Sequence, residues 1–251
     1  MDSARARLAI SLVDLTNLTD DCDAAAVAQL CDRALAAGTA AVCVWPDFVA
    51  QASAALAGSA VRVATVVDFP TGDERPHAVG VVTQRALDDG ADEIDVVLPY
   101  RSFADGNLAR ATEMLETVRH ITRGRALMKV ILETGRLGDP ELIAQAAQFA
   151  VDLGADFIKT STGKTEVSAT PAAVEVMLRV IAAADRPVGL KPSGGISTAA
   201  DAEAYLALAE SVMGDGWPCP ATFRFGASGV LGALLAAAGD DSGAAPSDQS
   251  Y

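Results

Sequence analysis

The sequence predicts an α/β protein folded as a single (β/α)8 TIM barrel, and three observations carry that prediction. Short apolar runs alternate with helix-like segments about every 25 to 35 residues, the rhythm of a parallel sheet. Eight such units fit into about 240 residues, the size of one closed barrel. The tripeptide Gly90-Ala91-Asp92 recurs as Gly154-Ala155-Asp156, which reads as one helix-to-strand joint used twice. The competing architecture, an open doubly wound sheet, calls for a Gly-rich dinucleotide turn after the first strand, and the sequence has none there.

The elements follow in order. Strands are read where short apolar runs occur: Leu12–Leu15, Ala41–Trp45, Arg62–Asp68, Glu93–Leu98, Leu127–Glu133, Phe157–Ser161, Val188–Lys191 and Thr222–Phe225. Ala-rich amphipathic helices lie between them: Asp23–Ala37, Pro46–Leu56, Arg75–Asp89, Leu108–Thr122, Pro140–Leu153, Pro171–Ala184 and Ala199–Met213. Gly38, Gly90 and Gly154 stand where helix C-caps precede a strand. The barrel domain is assigned to residues 1–238. Residues 239–251, made of Gly, Asp, Ser, Ala, Pro and Gln with a terminal Tyr251, read as a flexible tail.

Composition narrows the function classes. The chain has 251 residues, 51% of them apolar but only 5% aromatic, so small aliphatic side chains build the core. Its net charge of −14 argues against nucleic acid as the main partner, because a phosphate backbone needs a basic surface. The longest apolar candidate, Val230–Ala238, is too short to span a bilayer, and the N-terminus lacks the apolar core of a signal peptide. Cys22, Cys31, Cys43 and Cys219 form no C-x-x-C pair, consistent with a reduced cytoplasmic chain. Only two histidines are present, which disfavours a catalytic metal site, and no cofactor is expected.

Lysine usage points to the chemistry. Of 19 basic residues only four are lysine: Lys129, Lys159, Lys164 and Lys191. Arginine stays protonated, whereas burial or a nearby cation can neutralise an amine. Strand parity turns Ile94, Val96, Ile158 and Leu190 toward the helices, and so turns Asp95, Lys129, Lys159, Ser161 and Lys191 into the barrel. Such a set could be a structural ion-pair cluster, but residues at C-terminal strand ends of a barrel read as catalytic. Two inward lysines about 5 Å apart, at an effective dielectric of about 20, repel by roughly 3 kcal/mol, or about 2 pKa units. One amine is thereby pushed toward neutrality and can form a Schiff base; its protonated partner serves as acid and a carboxylate relays protons.

A phosphate site is the second signal. Thr162-Gly163-Lys164, Ser193-Gly194-Gly195-Ile196-Ser197 and Gly226-Ala227-Ser228 each follow an expected strand. Glycine permits close backbone approach, so N–H groups and helix N-termini can face phosphate oxygens. Gly163-Lys164-Thr165 is not a P-loop, because Ile158 occupies the position that needs the first glycine. Cys43 reads as core. Asp14 and Thr16 either line the same mouth or cap a helix, and Glu133-Thr134-Gly135 ends a strand inside the ring, placed to position water or another residue.

Longer segments carry a resemblance over nearly the whole chain. They include Asp14-Leu15-Thr16-Asn17-Leu18, Val42-Cys43-Val44-Trp45-Pro46, Gly90-Ala91-Asp92-Glu93-Ile94-Asp95-Val96-Val97, Lys129-Val130-Ile131-Leu132-Glu133-Thr134-Gly135, Gly154 through Lys164, Gly189-Leu190-Lys191-Pro192-Ser193-Gly194-Gly195 and Phe223-Arg224-Phe225-Gly226-Ala227-Ser228. With these, the chain resembles the deoxyribose-phosphate aldolases. The resemblance implies a metal-free class I aldolase that interconverts 2-deoxy-D-ribose 5-phosphate with acetaldehyde and D-glyceraldehyde 3-phosphate, in deoxyribonucleotide catabolism. It implies Lys159 as the Schiff-base residue and Lys191 as the perturbing ammonium, which shares proton transfer with Asp95; the expected break is at C3–C4. It also implies Gly163, Lys164, Gly194, Gly195, Gly226 and Ser228 as phosphate ligands, with Thr16 and Ser197 added as substrate contacts. Ser197 stands where well-known members carry Arg, and Gly229 replaces a Ser, so the phosphate grip is expected to be weaker. Tyr251 matches a branch whose tail ends in Tyr and is expected to assist proton transfer. A phosphosugar isomerase and a catalytically inactive sugar-phosphate sensor are the competing readings. Partners are expected to be the phosphosugar and aldehyde substrates, with a homodimer plausible on base rate.

Overall fold

The computed structural model describes residues 1–240; the expected tail beyond Asp240, including Tyr251, lies outside the described residues. The chain runs through α1 (Ser3–Ser11), β1 (Val13–Thr16), α2 (Ala24–Ala37), β2 (Ala41–Val44), a single 3-10 turn (Pro46–Phe48), α3 (Val49–Ala55), β3 (Arg62–Val67), α4 (Pro76–Asp88), β4 (Glu93–Val97), α5 (Tyr100–Ala104), α6 (Leu108–Thr122) and β5 (Leu127–Ile131). It continues through α7 (Thr134–Leu137), α8 (Pro140–Asp152), β6 (Phe157–Lys159), α9 (Pro171–Ala183), β7 (Gly189–Lys191), α10 (Ala199–Met213), β8 (Phe225–Ala227) and α11 (Val230–Ala238).

The eight strands are all parallel and lie in the order β7-β6-β5-β4-β3-β2-β1-β8. Two further bridges, Leu190 to Phe223 and Ser193 to Gly226, join the free edges of that ladder. Leu190 N–H donates to the Thr222 carbonyl at 2.8 Å and Arg224 N–H to the Leu190 carbonyl at 2.9 Å, which closes the ring. A closed parallel ring leaves no strand edge open to pair with another chain.

Local chemistry explains the joints. Asp23, Thr170 and Thr198 each accept from a backbone N–H in the first turn of the helix they precede, and Gly38 ends α2 in the left-handed conformation. The repeated Gly-Ala-Asp works identically in its two copies. Asp92 N–H donates to the Val63 carbonyl and its Oδ2 accepts from Val63 N–H at 2.9 Å. Asp156 does the same with Met128, its Oδ2 accepting at 2.8 Å. Each aspartate thus pins the incoming strand to the second residue of its neighbour.

The expected helices match to within a residue or two, except that Pro46–Leu56 divides into a 3-10 turn and α3. Several strands stop earlier than expected. Asp68 and Glu133 adopt φ of 56° and 57°, which turns the chain out of the extended conformation after β3 and β5. The expected strand Phe157–Ser161 ends at Lys159, and the expected Thr222–Phe225 is displaced to Phe225–Ala227, because Phe223 bridges β7 while residues 225–227 pair with β1. Gly226 therefore lies within a strand and not in a turn after it. Four helices have no counterpart among the expected elements: the short α5 and α7, and the longer α1 and α11. α1 buries Ala6, Ala9 and Ile10, and its Arg5 holds Glu210 at 2.5 Å and Glu203 at 3.2 Å on α10. α11 is the apolar run Val230–Ala238, serving as the eighth barrel helix.

Strand residues facing outward, such as Ile94, Val96, Ile158 and Leu190, pack with the helices in one continuous core. Inside the ring, Leu18, Ala41, Cys43, Ala64 and Val66 form a separate apolar cluster on the β1–β3 side. Charged residues occupy the rest of the interior. At the lower level Phe157 fills the space above Gly189: a Cβ there would lie 2.3 Å from a ring carbon. Gly189→Ala is expected to lower the melting temperature by roughly 2–8 °C, since overpacking a full core costs about 1–3 kcal/mol. Differential scanning calorimetry checks this, and an unchanged melting temperature contradicts it.

No helix among the described residues is long and apolar enough to cross a membrane.

Candidate active site

Strand register assembles the site. Asp95 on β4 lies opposite Lys129 on β5, Ile131 lies opposite Lys159 on β6, and Lys159 lies opposite Lys191 on β7. Parity turns all four polar side chains into the ring, where each is no more than 1% exposed. Two oxygens of Asp95 then serve three amines. Oδ1 accepts from Lys129 at 2.7 Å, while Oδ2 accepts from Lys159 at 3.0 Å and from Lys191 at 2.8 Å.

A second tier lies around these four residues. Lys191 is also 2.6 Å from Asp14 Oδ2, and Lys129 is 2.6 Å from Glu93 Oε2. Arg224 bridges the two carboxylates, at 2.6 Å from Asp14 and 3.0 Å from Glu93, with its guanidinium over the Phe157 ring. Asp14 is therefore neither at the mouth nor a helix cap but a buried member of the network. Glu93 and Arg224 escaped the sequence reading, although alternation held the signal. Glu93 shares the parity of Asp95, and Arg224 is flanked by two buried phenylalanines.

Four cations thus meet three carboxylates in a water-poor interior. Unbalanced buried charge is expensive, so the surplus is relieved most directly by one cation losing its proton. Among the described residues Lys159 is the one of the four whose ion pairing rests on a single carboxylate, and that oxygen is shared. Burial and the Lys191 ammonium lower the Lys159 pKa, opposed by Asp95. Burial works against Lys129 as well, but Asp95 and Glu93 outweigh it and raise that lysine. Burial would raise Asp95, yet Lys129, Lys191 and Lys159 hold it well below the usual carboxylate range. The environment singles out one amine for a lowered proton affinity and keeps its carboxylate neighbour ionised. Cys43, on the same inner wall, is buried and its thiol is pushed up by that burial, in keeping with a core residue.

The Gly-rich turns lie at the C-terminal ends of the strands. Gly163 and Gly194 both have φ of 80°, and a Cβ on Gly194 would approach Gly163 Cα to 3.2 Å, so the two turns pack backbone to backbone. Lys164 is half-buried beside them, and Gly195 and Ser228 reach solvent. The other expected contacts already make hydrogen bonds within the protein. Gly226 N–H donates to the Pro192 carbonyl at 2.9 Å, and a Cβ at Gly226 would lie 2.1 Å from Ser193 Oγ and 3.0 Å from Lys191 Cε; this glycine makes room for the lysine. Ser197 is exposed and its N–H donates to Asp201. Thr16 donates its hydroxyl proton to the Asp14 carbonyl at 2.9 Å, which leaves it an acceptor toward the interior.

Comparison with known proteins follows the same line. The family model described as "DeoC/LacD family aldolase" matches residues 8–231. A "Deoxyribose-phosphate aldolase" of Agrobacterium fabrum (strain C58) is 51% identical over 233 residues, covering 92% of this chain and 90% of the relative. Among solved structures, a candidate deoxyribose-phosphate aldolase of Toxoplasma gondii ME49 superposes with a TM-score of 0.84 at 27% identity, covering 95% of this chain and 98% of that one. A candidate of the same kind from Coccidioides immitis gives 0.81 at 28% identity, covering 90% and 85%.

Proposed function

The chain belongs to the DeoC/LacD family of aldolases, and from that premise we propose that it reversibly cleaves 2-deoxy-D-ribose 5-phosphate to acetaldehyde and D-glyceraldehyde 3-phosphate through a Schiff base on Lys159. One observation carries the assignment of the nucleophile. Lys159 Nζ is buried, its proton affinity is lowered by burial and Lys191, and it lies 3.0 Å from an ionised carboxylate that also holds Lys191.

In the cleavage direction the Lys159 lone pair attacks C1 of the open-chain sugar, and a proton from the adjacent Lys191–Asp95 pair lets the C1 oxygen leave as water, which gives the protonated imine. Carbon balance puts the break at C2–C3 and corrects the expectation of C3–C4, since acetaldehyde carries away C1 and C2 and the phosphorylated triose keeps C3 to C5. The C3 hydroxyl gives up its proton as the bond breaks, its oxygen becomes the aldehyde of glyceraldehyde 3-phosphate, and the bonding pair moves into the enamine on Lys159. Asp95 and Lys191, which share a hydrogen bond at 2.8 Å, are the pair that takes this proton and returns one to the enamine carbon. Water then hydrolyses the two-carbon imine to acetaldehyde and the free amine. Gly163, Lys164, Gly194, Gly195 and Ser228 are the phosphate ligands in this reading, with Thr16 facing the sugar.

The reading extends to a place in deoxyribonucleotide catabolism, a cytoplasmic location and a homodimer, the last checked by analytical ultracentrifugation.

Trapping tests the chemistry. Acetaldehyde with borohydride should leave one ethyl group on the peptide that contains Lys159, seen by mass spectrometry. No adduct, or an adduct confined to another lysine, would remove the assignment. A phosphosugar isomerase or an inactive sensor would give no label.

A further inference from the structure

One buried carboxylate takes no part in the carbonyl chemistry. Glu133 follows β5, is fully buried, and sits at φ 57°, ψ 58°, a left-handed conformation that costs a residue with a side chain about 1 kcal/mol or more. Its carboxylate collects donors from a single segment, the loop after β6. Oε2 accepts from Thr162 Oγ1 at 2.5 Å and from Thr162 N–H at 3.2 Å. Oε1 lies 3.1 Å from Thr165 Oγ1, whose one proton it shares with the Val167 carbonyl, also at 3.1 Å. Thr162 Oγ1 in turn accepts from Lys164 N–H at 3.1 Å.

These bonds bracket Gly163 from both sides. The floor beneath continues into Gly135, where a Cβ would lie 2.0 Å from the Val167 carbonyl oxygen, so the end of β5 and this loop are fitted to each other without slack. The loop then meets the next Gly turn, with Ser168 Oγ 2.5 Å from where a Gly194 Cβ would be. A glycine at φ 80° is free to move, so a turn built on it needs an outside constraint to present fixed N–H groups.

We propose that Glu133 is a positioning residue that holds the Thr162–Thr165 turn in the shape that receives the substrate's phosphate monoester. The inference rests on the phosphate reading given above. Glu133 touches neither the reacting carbons nor Lys159; it acts through the loop. Its work is hydrogen-bond acceptance and not charge, because a carboxylate near a bound phosphate is itself repulsive. A glutamine can substitute: its oxygen accepts the two Thr162 donors, and its amide donates to Thr165 Oγ1, which turns its proton to Val167.

The test compares two substrates in three proteins. Rates are measured with 2-deoxy-D-ribose 5-phosphate and with unphosphorylated 2-deoxy-D-ribose, for wild type, Glu133→Gln and Glu133→Ala. Glu133→Ala should lose about tenfold or more in kcat/KM on the phosphorylated sugar, through KM, with rates on the plain sugar within about twofold of wild type. Glu133→Gln should keep the wild-type preference. If Glu133→Ala does not fold, Glu133→Gly removes the carboxylate while relieving the left-handed strain, and gives the same readout. Equal loss on both sugars, or a Glu133→Gln variant as impaired as Glu133→Ala, overturns the proposal. A wild-type enzyme indifferent to the phosphate would sink the phosphate reading instead, independently of either variant.

Discussion

Lys159→Arg is expected to lose turnover by more than about a thousandfold, because a guanidinium keeps its proton and cannot form the imine. A coupled assay that consumes glyceraldehyde 3-phosphate reads this directly. The companion variant Lys159→Met should be equally inactive but should unfold no more readily than wild type. The reason is charge: three remaining cations face three carboxylates, so the interior stays balanced without the amine whose proton affinity is lowered. Arg at the same place adds both volume and a fixed surplus charge, and should melt at a lower temperature. Retained cleavage in either variant would be fatal to Lys159 as the nucleophile. A large destabilisation of Lys159→Met would show that the amine is charged in the native protein.

The second large effect concerns Lys191. Lys191→Met removes a cation that stands opposite Lys159 across neighbouring strands and lowers its proton affinity. The sign follows from that. With the crowding ammonium gone, three cations again match three carboxylates, so the Lys159 pKa rises toward the ordinary lysine value. The neutral amine becomes scarcer near neutral pH and is recovered only as pH increases. A rise of about 2 units would cut the reactive fraction about a hundredfold at pH 7 and move the acidic limb of the pH–rate profile to higher pH by the same amount. Loss of the proton-transfer partner lowers the plateau as well. A variant with depressed activity but an unmoved acidic limb would mean that Lys191 acts only in proton transfer and does not set the state of Lys159.

The inner half of each strand was readable because alternation is a strict geometric rule. Ile94 and Val96 fix Asp95, Ile158 fixes Lys159, and Leu190 fixes Lys191. The Gly-Ala-Asp repeat was legible for the same kind of reason: each aspartate makes a local bond to a specific strand residue. What sequence could not supply was partnership across the ring. Asp14 and Arg224 are separated by 210 positions and meet only because the barrel closes, so Asp14 looked like a mouth or cap residue. The last strand was misplaced because Phe223 and Phe225 carry the apolar signal, whereas the actual ladder with β1 uses Gly226 and Ala227, which have almost no side chain to announce it. Glycine in that ladder also read as a phosphate turn. The helix α1 was missed because its buried face is two alanines and an isoleucine, too small an apolar stripe to stand out beside Arg5 and Arg7.

The tier formed by Arg224, Glu93 and Asp14 divides labour within the barrel. In the aldolase reading acidity is tuned from the N-terminal side of the strands, by Asp14 on β1, Glu93 on β4 and Arg224 just before β8, while the loops at the C-terminal side receive the substrate. The two tasks share few atoms, so they can be altered separately. Directed evolution toward new aldehyde acceptors can randomise the entrance freely and still inherit a reactive amine, provided these three positions are left alone.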